Sequence, residues 1–302
     1  MESLQELQRS GKHWRHCPQA LMLIDGAHAP SRKRSRGSAR HTTVLEEQLS
    51  ALRKENDGLR QMLFEAAQMQ RRLCGPRQMR RGAFEISGEI FPVRHVSGDF
   101  ISVSDVGDDV LLVLGDISGK GLSAGMWFPY LVATIQRHIQ TKSPDAALTA
   151  INRELCSAQL PVPMTTLFLV ILHVASGGIR YCNAGHPPAL LLRSGAEVET
   201  LDKGGPVLGV VPNAVFAGGE ALLKPGDSLL AYSDGIVECR NVTGTEFGMM
   251  RLIAAARSSH SSSAPEMLFS VLGATEDFGE HQKREDDISL LVVHRDEHSF
   301  NS

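Results

Sequence analysis

The chain has no apolar run approaching the ~18 residues of a membrane span, and its N-terminus carries no signal-peptide apolar region; neither a transmembrane segment nor a secretory leader is expected. Nor does it carry an excess of positive charge. Its 31 Lys and Arg against 34 Asp and Glu give a formal net charge of −3, which argues against a general attraction to nucleic acid. The five cysteines, Cys17, Cys74, Cys156, Cys182 and Cys239, are odd in number, widely scattered and contain no CxxC pair. That excludes a disulfide framework and a cysteine zinc site, and reduced thiols in the cytoplasm are expected. With 302 residues, 42% apolar and 22% charged, the composition is that of a soluble globular protein with room for one large or two small domains.

What is present is concentrated first in Gly115-Asp116-Ile117-Ser118-Gly119-Lys120-Gly121. It follows Val110-Leu111-Leu112-Val113-Leu114, an apolar run too short for a helix and rich in β-formers, hence a buried strand. The glycines allow a sharp turn and close backbone approach, and a helix-compatible run begins at Leu122. A phosphate-binding loop requires four residues between its first glycine and Gly-Lys-Ser/Thr; here Gly115 and Gly119 enclose three, and Gly121 stands where the hydroxyl residue belongs. That reading fails. Two others stay open on these residues alone: a buried aspartate capping a helix, and a carboxylate placed to hold a hard cation.

Residues 1–42 show no sustained periodicity and contain the basic cluster Arg32-Lys33-Arg34-Ser35-Arg36. Such a run can bind nucleic acid or anionic lipid, but the composition favours a solvated, disordered tail. Over 43–75 the texture changes. Leu45, Leu49, Leu52, Asn56, Leu59, Leu63, Ala66, Gln70 and Leu73 alternate at spacings of four and three, a heptad seam. Asn56 falls at an a position, where a buried amide fixes register in a parallel dimer, and Gly75-Pro76 ends the helix. The narrow stripe flanked by charge predicts a homodimer through residues 45–73; a helix packed on its own domain is the alternative.

A basic hinge (Arg77, Arg80, Arg81) leads to strand-like runs at Ala83–Val93, Phe100–Val106 and Val110–Gly115. Helical candidates follow at Leu122–Gln140 and Pro144–Leu155, then strands at Thr165–Val174, Ile179–Ala184, Ala189–Leu192, Val215–Leu223 and Ser228–Tyr232. Helices near Phe247–Arg257 and Ala264–Leu272 precede a last strand, Ile288–Val293. Strands cluster on either side of a helical pair instead of alternating with helices, which predicts α+β with antiparallel sheets. Four aspartates recur at strand ends: Asp99, Asp116, Asp234 and Asp286. One alone is a turn residue; several converging at one edge would form an oxygen-rich, histidine-poor cluster suited to magnesium or manganese.

Seven segments appear in order: Val96-Ser97-Gly98-Asp99-Phe100, the Gly115–Gly121 loop, Met164-Thr165-Thr166-Leu167-Phe168, Asn183-Ala184-Gly185-His186-Pro187-Pro188, Pro225-Gly226-Asp227, Ser233-Asp234-Gly235-Ile236-Val237-Glu238 and Asp286-Asp287-Ile288-Ser289. Together they resemble the metal-dependent protein phosphatase family (the protein phosphatase 2C superfamily) over residues 83–296. Within it, the likeness is to the bacterial branch typified by the sporulation stage II E and sigma-B regulatory phosphatases. The resemblance implies a sandwich of two antiparallel sheets flanked by helices, with two Mn2+ or Mg2+ ions per domain. It implies that Asp116 bridges both ions with the Ile117 carbonyl adding an oxygen, that Asp234 and Asp286 hold one ion, and that Asp99 acts on the opposite side. Asp116, Asp99 and Asp234 would then be the catalytic carboxylates, and no nucleophilic Ser or Cys is required. Arg94, five residues before Asp99, and Lys120 are candidates to bind phosphate; His186 is read as ordering a turn.

By the same resemblance the activity is hydrolysis of phosphoserine or phosphothreonine on a cytosolic regulator of the anti-sigma-factor-antagonist type, in a partner-switching pathway. Ser97 replaces the family's usual first Gly of Gly-Gly-Asp, and Ile101-Ser102 replaces the usual Tyr-Asp, changes that bear on the substrate cleft without removing a ligand. The alternative is a catalytically weak scaffold, whose signature would be loss of Asp116, Asp234 or Asp286; all three are present.

Overall fold

The computed structural model describes residues 33–74, 77–119, 121–141, 143–158, 162–195, 197–259, 263–280, 282 and 284–297. The chain divides into two units, Met1–Glu55 and Asn56–Ser302. Helix α1 spans Lys33–Leu73. Its first residues lie in the stretch expected to be a disordered tail; the rest of that tail lies outside the described residues. The charge run does not break a helix, because arginine is a good helix former and only Gly37 is a poor one there. In the first unit, residues 41–55 are exposed, Leu45, Leu49 and Leu52 among them.

In the second unit the strands are Gln78–Arg81 (β1), Phe84–Phe91 (β2), Asp99–Val106 (β3), Asp109–Ile117 (β4), Thr165–His173 (β5), Gly178–Ala184 (β6), Ala189–Leu192 (β7), Val198–Leu201 (β8), Gly204–Gly205 (β9), Gly219–Leu222 (β10), Ser228–Tyr232 (β11) and Ile288–Arg295 (β12). The helices are Leu122–His138 (α2, extended by a 3-10 turn), Pro144–Ser157 (α3), Asp234–Val237 (α4), Gly248–Ser258 (α5) and Ala264–Phe278 (α6). One sheet has the order β1-β2-β12-β11-β7-β8 and the other β10-β6-β5-β4-β3, with β9 pairing β6. All pairings are antiparallel except β6 with β9.

The expected α+β sandwich is therefore the observed one, and the burial patterns explain it. β4 and β12 bury almost every residue, as strands covered on both faces must. One core lies between the sheets, where Ile101, Leu112 and Leu114 meet Ile86, Leu229 and Leu291. A second packs α2 and α3 on the β4–β5 sheet, and a third packs α5 and α6 on the β11–β12 sheet. Arg77–Arg81, read as a hinge, instead supplies edge strand β1. Arg81 of β1 pairs with Asp105 at 3.3 Å, and Arg77, just before the strand, pairs with Glu89 at 2.9 Å. Charge on an edge strand hides the strand pattern while protecting the edge.

The last turns of α1 also differ from the simple seam. Ala67 and Cys74 are buried and Leu63, Ala66 and Gln70 half-buried, whereas Leu59, Met62, Phe64, Met69 and Leu73 are exposed. Cys74 joins the α2–α3 core. The heptad positions Leu63, Ala66 and Gln70 thus pack against their own domain, as a period of 3.6 also allows, while Leu73 stays exposed.

Candidate metal centre

Register brings the aspartates to one end of the sandwich. Asp99, the first residue of β3, pairs directly with Asp116, near the end of β4, and Asp116 pairs with Thr166 on β5. On the facing sheet, β11 ends into Ser233-Asp234 and β12 begins just after Asp286-Asp287. Ser289 Oγ of β12 donates to Asp99 Oδ2, so the two sheets touch at this end. Asp116, Thr166, His186, Ser233 and Asp234 line one cleft of about 270 Å³.

The Gly115–Gly121 turn has positive φ at Gly119 and Gly121. Gly98 is glycine for want of space: a Cβ there would stand 2.9 Å from both Asp116 Oδ1 and the Ile117 carbonyl oxygen. A carboxylate oxygen and a main-chain oxygen therefore converge on one backbone point. Asp99 is buried beside them, and its carboxyl is raised well above the usual range, first by burial and then by the charges of Asp116 and Asp287, against hydrogen bonds from Ser289 and Ser233.

Asp286 stands apart. It borders a neighbouring cleft of about 550 Å³ with Gly235, Glu238, Arg240 and Arg284. Among the described residues, no three His, Cys, Asp or Glu side chains stand together as a ready metal cage. The donor set nonetheless fits a hard divalent cation. It is all oxygen, it pairs carboxylates with a main-chain carbonyl, and its Asp99–Asp116 repulsion is what a cation between them would relieve.

Arg94 is exposed, and its Cδ lies 3.3 Å from where a Cβ of Gly121 would be, so its side chain reaches over the Gly115–Gly121 loop. Lys120 lies outside the described residues. His186 does order its turn: its N–H donates to Asn183 Oδ1 at 2.7 Å and its carbonyl accepts from Asn183 Nδ2 at 2.9 Å. Its Nδ1 is 2.8 Å from Thr166 Oγ1, and among the described residues the buried Nε2 has no partner at hydrogen-bond distance. Burial pushes the imidazole down to about 4, opposed by the Tyr232 backbone, so it is neutral at pH 7.

Sequence reasoning passed over Asp287. Its carboxylate accepts from Val93 N at 2.7 Å, Ser97 Oγ at 2.7 Å and Gly98 N at 2.8 Å. Its duplication beside Asp286 was the available signal. Gln70 was read only as a seam residue; its Nε2 donates to the Ser97 carbonyl at 2.8 Å and its Oε1 accepts from Ser97 N at 3.2 Å.

Comparison with known proteins agrees with this architecture. The stage II sporulation protein E (SpoIIE) family matches residues 107–296, well over half of the chain. The chain belongs to that family. Protein IcfG of Synechocystis sp. is 28% identical over 243 residues, covering 70% of this chain and 38% of IcfG. Phosphoserine phosphatase RsbU of Bacillus subtilis is 24% identical over 234 residues, covering 76% of this chain and 69% of RsbU. The chain thus spans less than half of IcfG. Among solved structures, the SiaA-PP2C domain of Pseudomonas aeruginosa superposes with a TM-score of 0.69 at 20% identity, over 80% of this chain and 98% of that one. The PP2C phosphatase domain of Bacillus subtilis SpoIIE, with a fragment of its regulatory domain, gives 0.61 at 20% identity, over 70% of this chain and 62% of that one. These likenesses establish a PP2C fold.

Proposed function

We propose that this chain is a metal-dependent protein serine/threonine phosphatase, using two Mn2+ or Mg2+ ions to hydrolyse phosphoserine or phosphothreonine on a cytoplasmic regulator in a partner-switching pathway. The observation that carries the reading is the Asp99–Asp116 pair, two carboxylates opposed across one strand pair, of which Asp116 lines a cleft together with Asp234. Relatives support it: RsbU is a phosphoserine phosphatase, and the structures of PstP and RsbX hold manganese and magnesium respectively. Asp116 and the Ile117 carbonyl would hold both ions, Asp234 and Asp286 one of them, and Asp99 the other side. When bound, such a pair supplies Lewis acidity toward the phosphoryl oxygens and a reactive nucleophile drawn from water.

The chain's own residues do the rest. Arg94, whose side chain passes over Gly121, would orient the phosphoryl group, since a guanidinium fork matches phosphate oxygens. Ser289 holds Asp99 Oδ2 by a hydrogen bond and so fixes which way that carboxylate faces. His186, neutral and buried, keeps the cleft wall and carries no positive charge at pH 7. The substrate we propose is of the anti-sigma-factor-antagonist type; a structural relative, Rv1364c of Mycobacterium tuberculosis, carries RsbU and RsbW domains in one protein. The exposed seam from Leu45 to Leu59 supports a homodimer.

The test is hydrolysis of a phosphoserine peptide with Mn2+, Mg2+ or chelator. Metal-dependent release of phosphate is expected; release that is unchanged by chelator overturns the two-ion reading. Binding of the phosphopeptide without any hydrolysis would favour the scaffold.

A further inference from the structure

The loop Val93–Gly98 leads directly into Asp99, and three hydrogen bonds that fix it go to the carboxylate of one residue, Asp287, just before β12. Asp287 is only 7% exposed. Its Oδ1 accepts from Val93 N, and its Oδ2 accepts from both Ser97 Oγ and Gly98 N, at 2.7, 2.7 and 2.8 Å. A carboxylate has about four acceptor positions, so three of them are filled by the loop. The residue is thus spent on the loop.

The consequence falls on Asp116. Gly98, held by Asp287, passes so close to Asp116 Oδ1 and the Ile117 carbonyl oxygen that a Cβ on it would stand 2.9 Å from each, and its own carbonyl accepts from Ile117 N at 3.1 Å. Asp287 is also tied to the other wall. Its carbonyl accepts from Ser233 Oγ at 3.4 Å, and Gly235, next to Asp234, passes so close that a Cβ would lie 2.1 Å from that carbonyl oxygen. One residue therefore touches the segments that carry Asp99, Asp234 and Asp286, and through Gly98 the oxygens of Asp116 and Ile117.

We propose that Asp287 is a positioning residue for the metal centre: it clamps the 93–98 loop against the start of β12 and so holds Gly98 beside the Asp116 carboxylate and the Ile117 carbonyl, fixing how those two oxygens face. The proposal rests on the metal-dependent reading above. Asn cannot replace it. Whichever way an amide is turned, its NH2 faces a donor, either Val93 N–H or the Ser97 and Gly98 pair. Partners that orient ligands in this way typically change metal affinity by ~10–100-fold when removed.

The experiment measures Mn2+ binding to the full chain, by calorimetry and by paramagnetic resonance of free Mn2+, for wild type, Asp287→Asn and Ser97→Ala. It is run where unfolding curves in chelator show each variant fully folded. Asp287→Asn is expected to bind Mn2+ ~10–100-fold more weakly, and Ser97→Ala, which removes one of the three donors, several-fold more weakly. A folded Asp287→Asn with wild-type affinity overturns the proposal, since a purely structural role lowers only the unfolding midpoint. Loss of binding in Asp287→Asn with wild-type affinity in Ser97→Ala also overturns it, because Asp287 would then be a ligand. If Asp287→Asn does not fold, Ser97→Ala decides alone by the same criterion. Wild type that binds no Mn2+ refutes the metal-dependent reading itself, a result distinct from all of these.

Discussion

The two walls of the cleft use buried aspartate in opposite ways. On the β3–β4 wall, Asp99 is 3% exposed and faces a second carboxylate across the strand pair. On the β11–β12 wall, Asp287 is 7% exposed and faces three donors. Burial is nearly the same, so burial does not decide the role. The balance of donors and like charge differs: Asp287 has three donors in the loop against the neighbouring Asp99 carboxylate, whereas Asp99 has two hydroxyl donors, Ser289 and Ser233, against the charges of Asp116 and Asp287. A carboxylate with donors in excess holds structure together, and one with like charge in excess is where a cation is favoured. The second kind marks the functional wall.

The largest break in that comparison comes from the carboxylates facing the cleft. Asp116→Asn and Asp234→Asn are each expected to reduce turnover of a phosphoserine peptide by at least ~10²-fold while the unfolding midpoint in chelator stays near wild type. Wild-type turnover in either variant would remove the carboxylates from the mechanism.

Asp99 sharpens the contrast through stability. Its folded pKa is raised, so ionisation opposes folding: wild type loses stability as pH rises from about 4, the unfolded value, toward the folded one. Asp99→Asn has no such charge. In chelator it is expected to be the more stable form at pH 7 by a few degrees, at roughly 2–4 °C per kcal/mol, with the gap closing as pH falls to 4. Thermal unfolding across that range decides it, and a gap of the opposite sign at pH 7 contradicts the picture.

His186, on the same cleft, carries the reverse sign. Its folded pKa of about 4 lies below the unfolded ~6.5, so its contribution is intact above 6.5 and is lost as pH falls from there toward 4. His186→Gln should flatten the stability–pH curve in that window by up to about 1.4 kcal/mol per pH unit. Parallel curves for the two proteins would mean that the imidazole is charged, or exposed, in the folded state.

What the sequence made legible follows from distance along the chain. Asp116 and Asp234 stand out because each ends a continuous apolar strand and sits beside glycine, a local pattern. The two-sheet sandwich is legible for the same reason, since strands buried on both faces read as unbroken apolar runs. Asp287 is illegible because Ser97, its donor, lies 190 residues away, and nothing nearby tells a clamp from a turn. β1 was hidden by its arginines. The end of α1 is ambiguous in sequence because Leu63, Ala66 and Gln70 satisfy a heptad and a domain-packing stripe at once.

The smallest expected effect concerns the other hold on the 93–98 loop. Asp287 grips it from inside, and Gln70 grips Ser97 from α1 through two main-chain hydrogen bonds. These are neutral and partly exposed, worth about 0.5–1.5 kcal/mol each, against the charged and buried set on Asp287. Gln70→Ala should therefore lower turnover of a small phosphoester, which needs no docking, about 2–10-fold at limiting Mn2+ and hardly at all at saturation. Asn56 lies about four turns up the same helix, at an exposed position of the seam. Asn56→Leu should tighten association measured by light scattering, and Leu52→Glu, at a 62% exposed site, should weaken it. If pairing of α1 is transmitted along the helix, the turnover of both seam variants moves together with that of Gln70→Ala. If Gln70→Ala alone moves, the contact with Ser97 positions the loop and the seam is only a tether, raising local concentration. If none moves, Asp287 holds the loop without help from the helix.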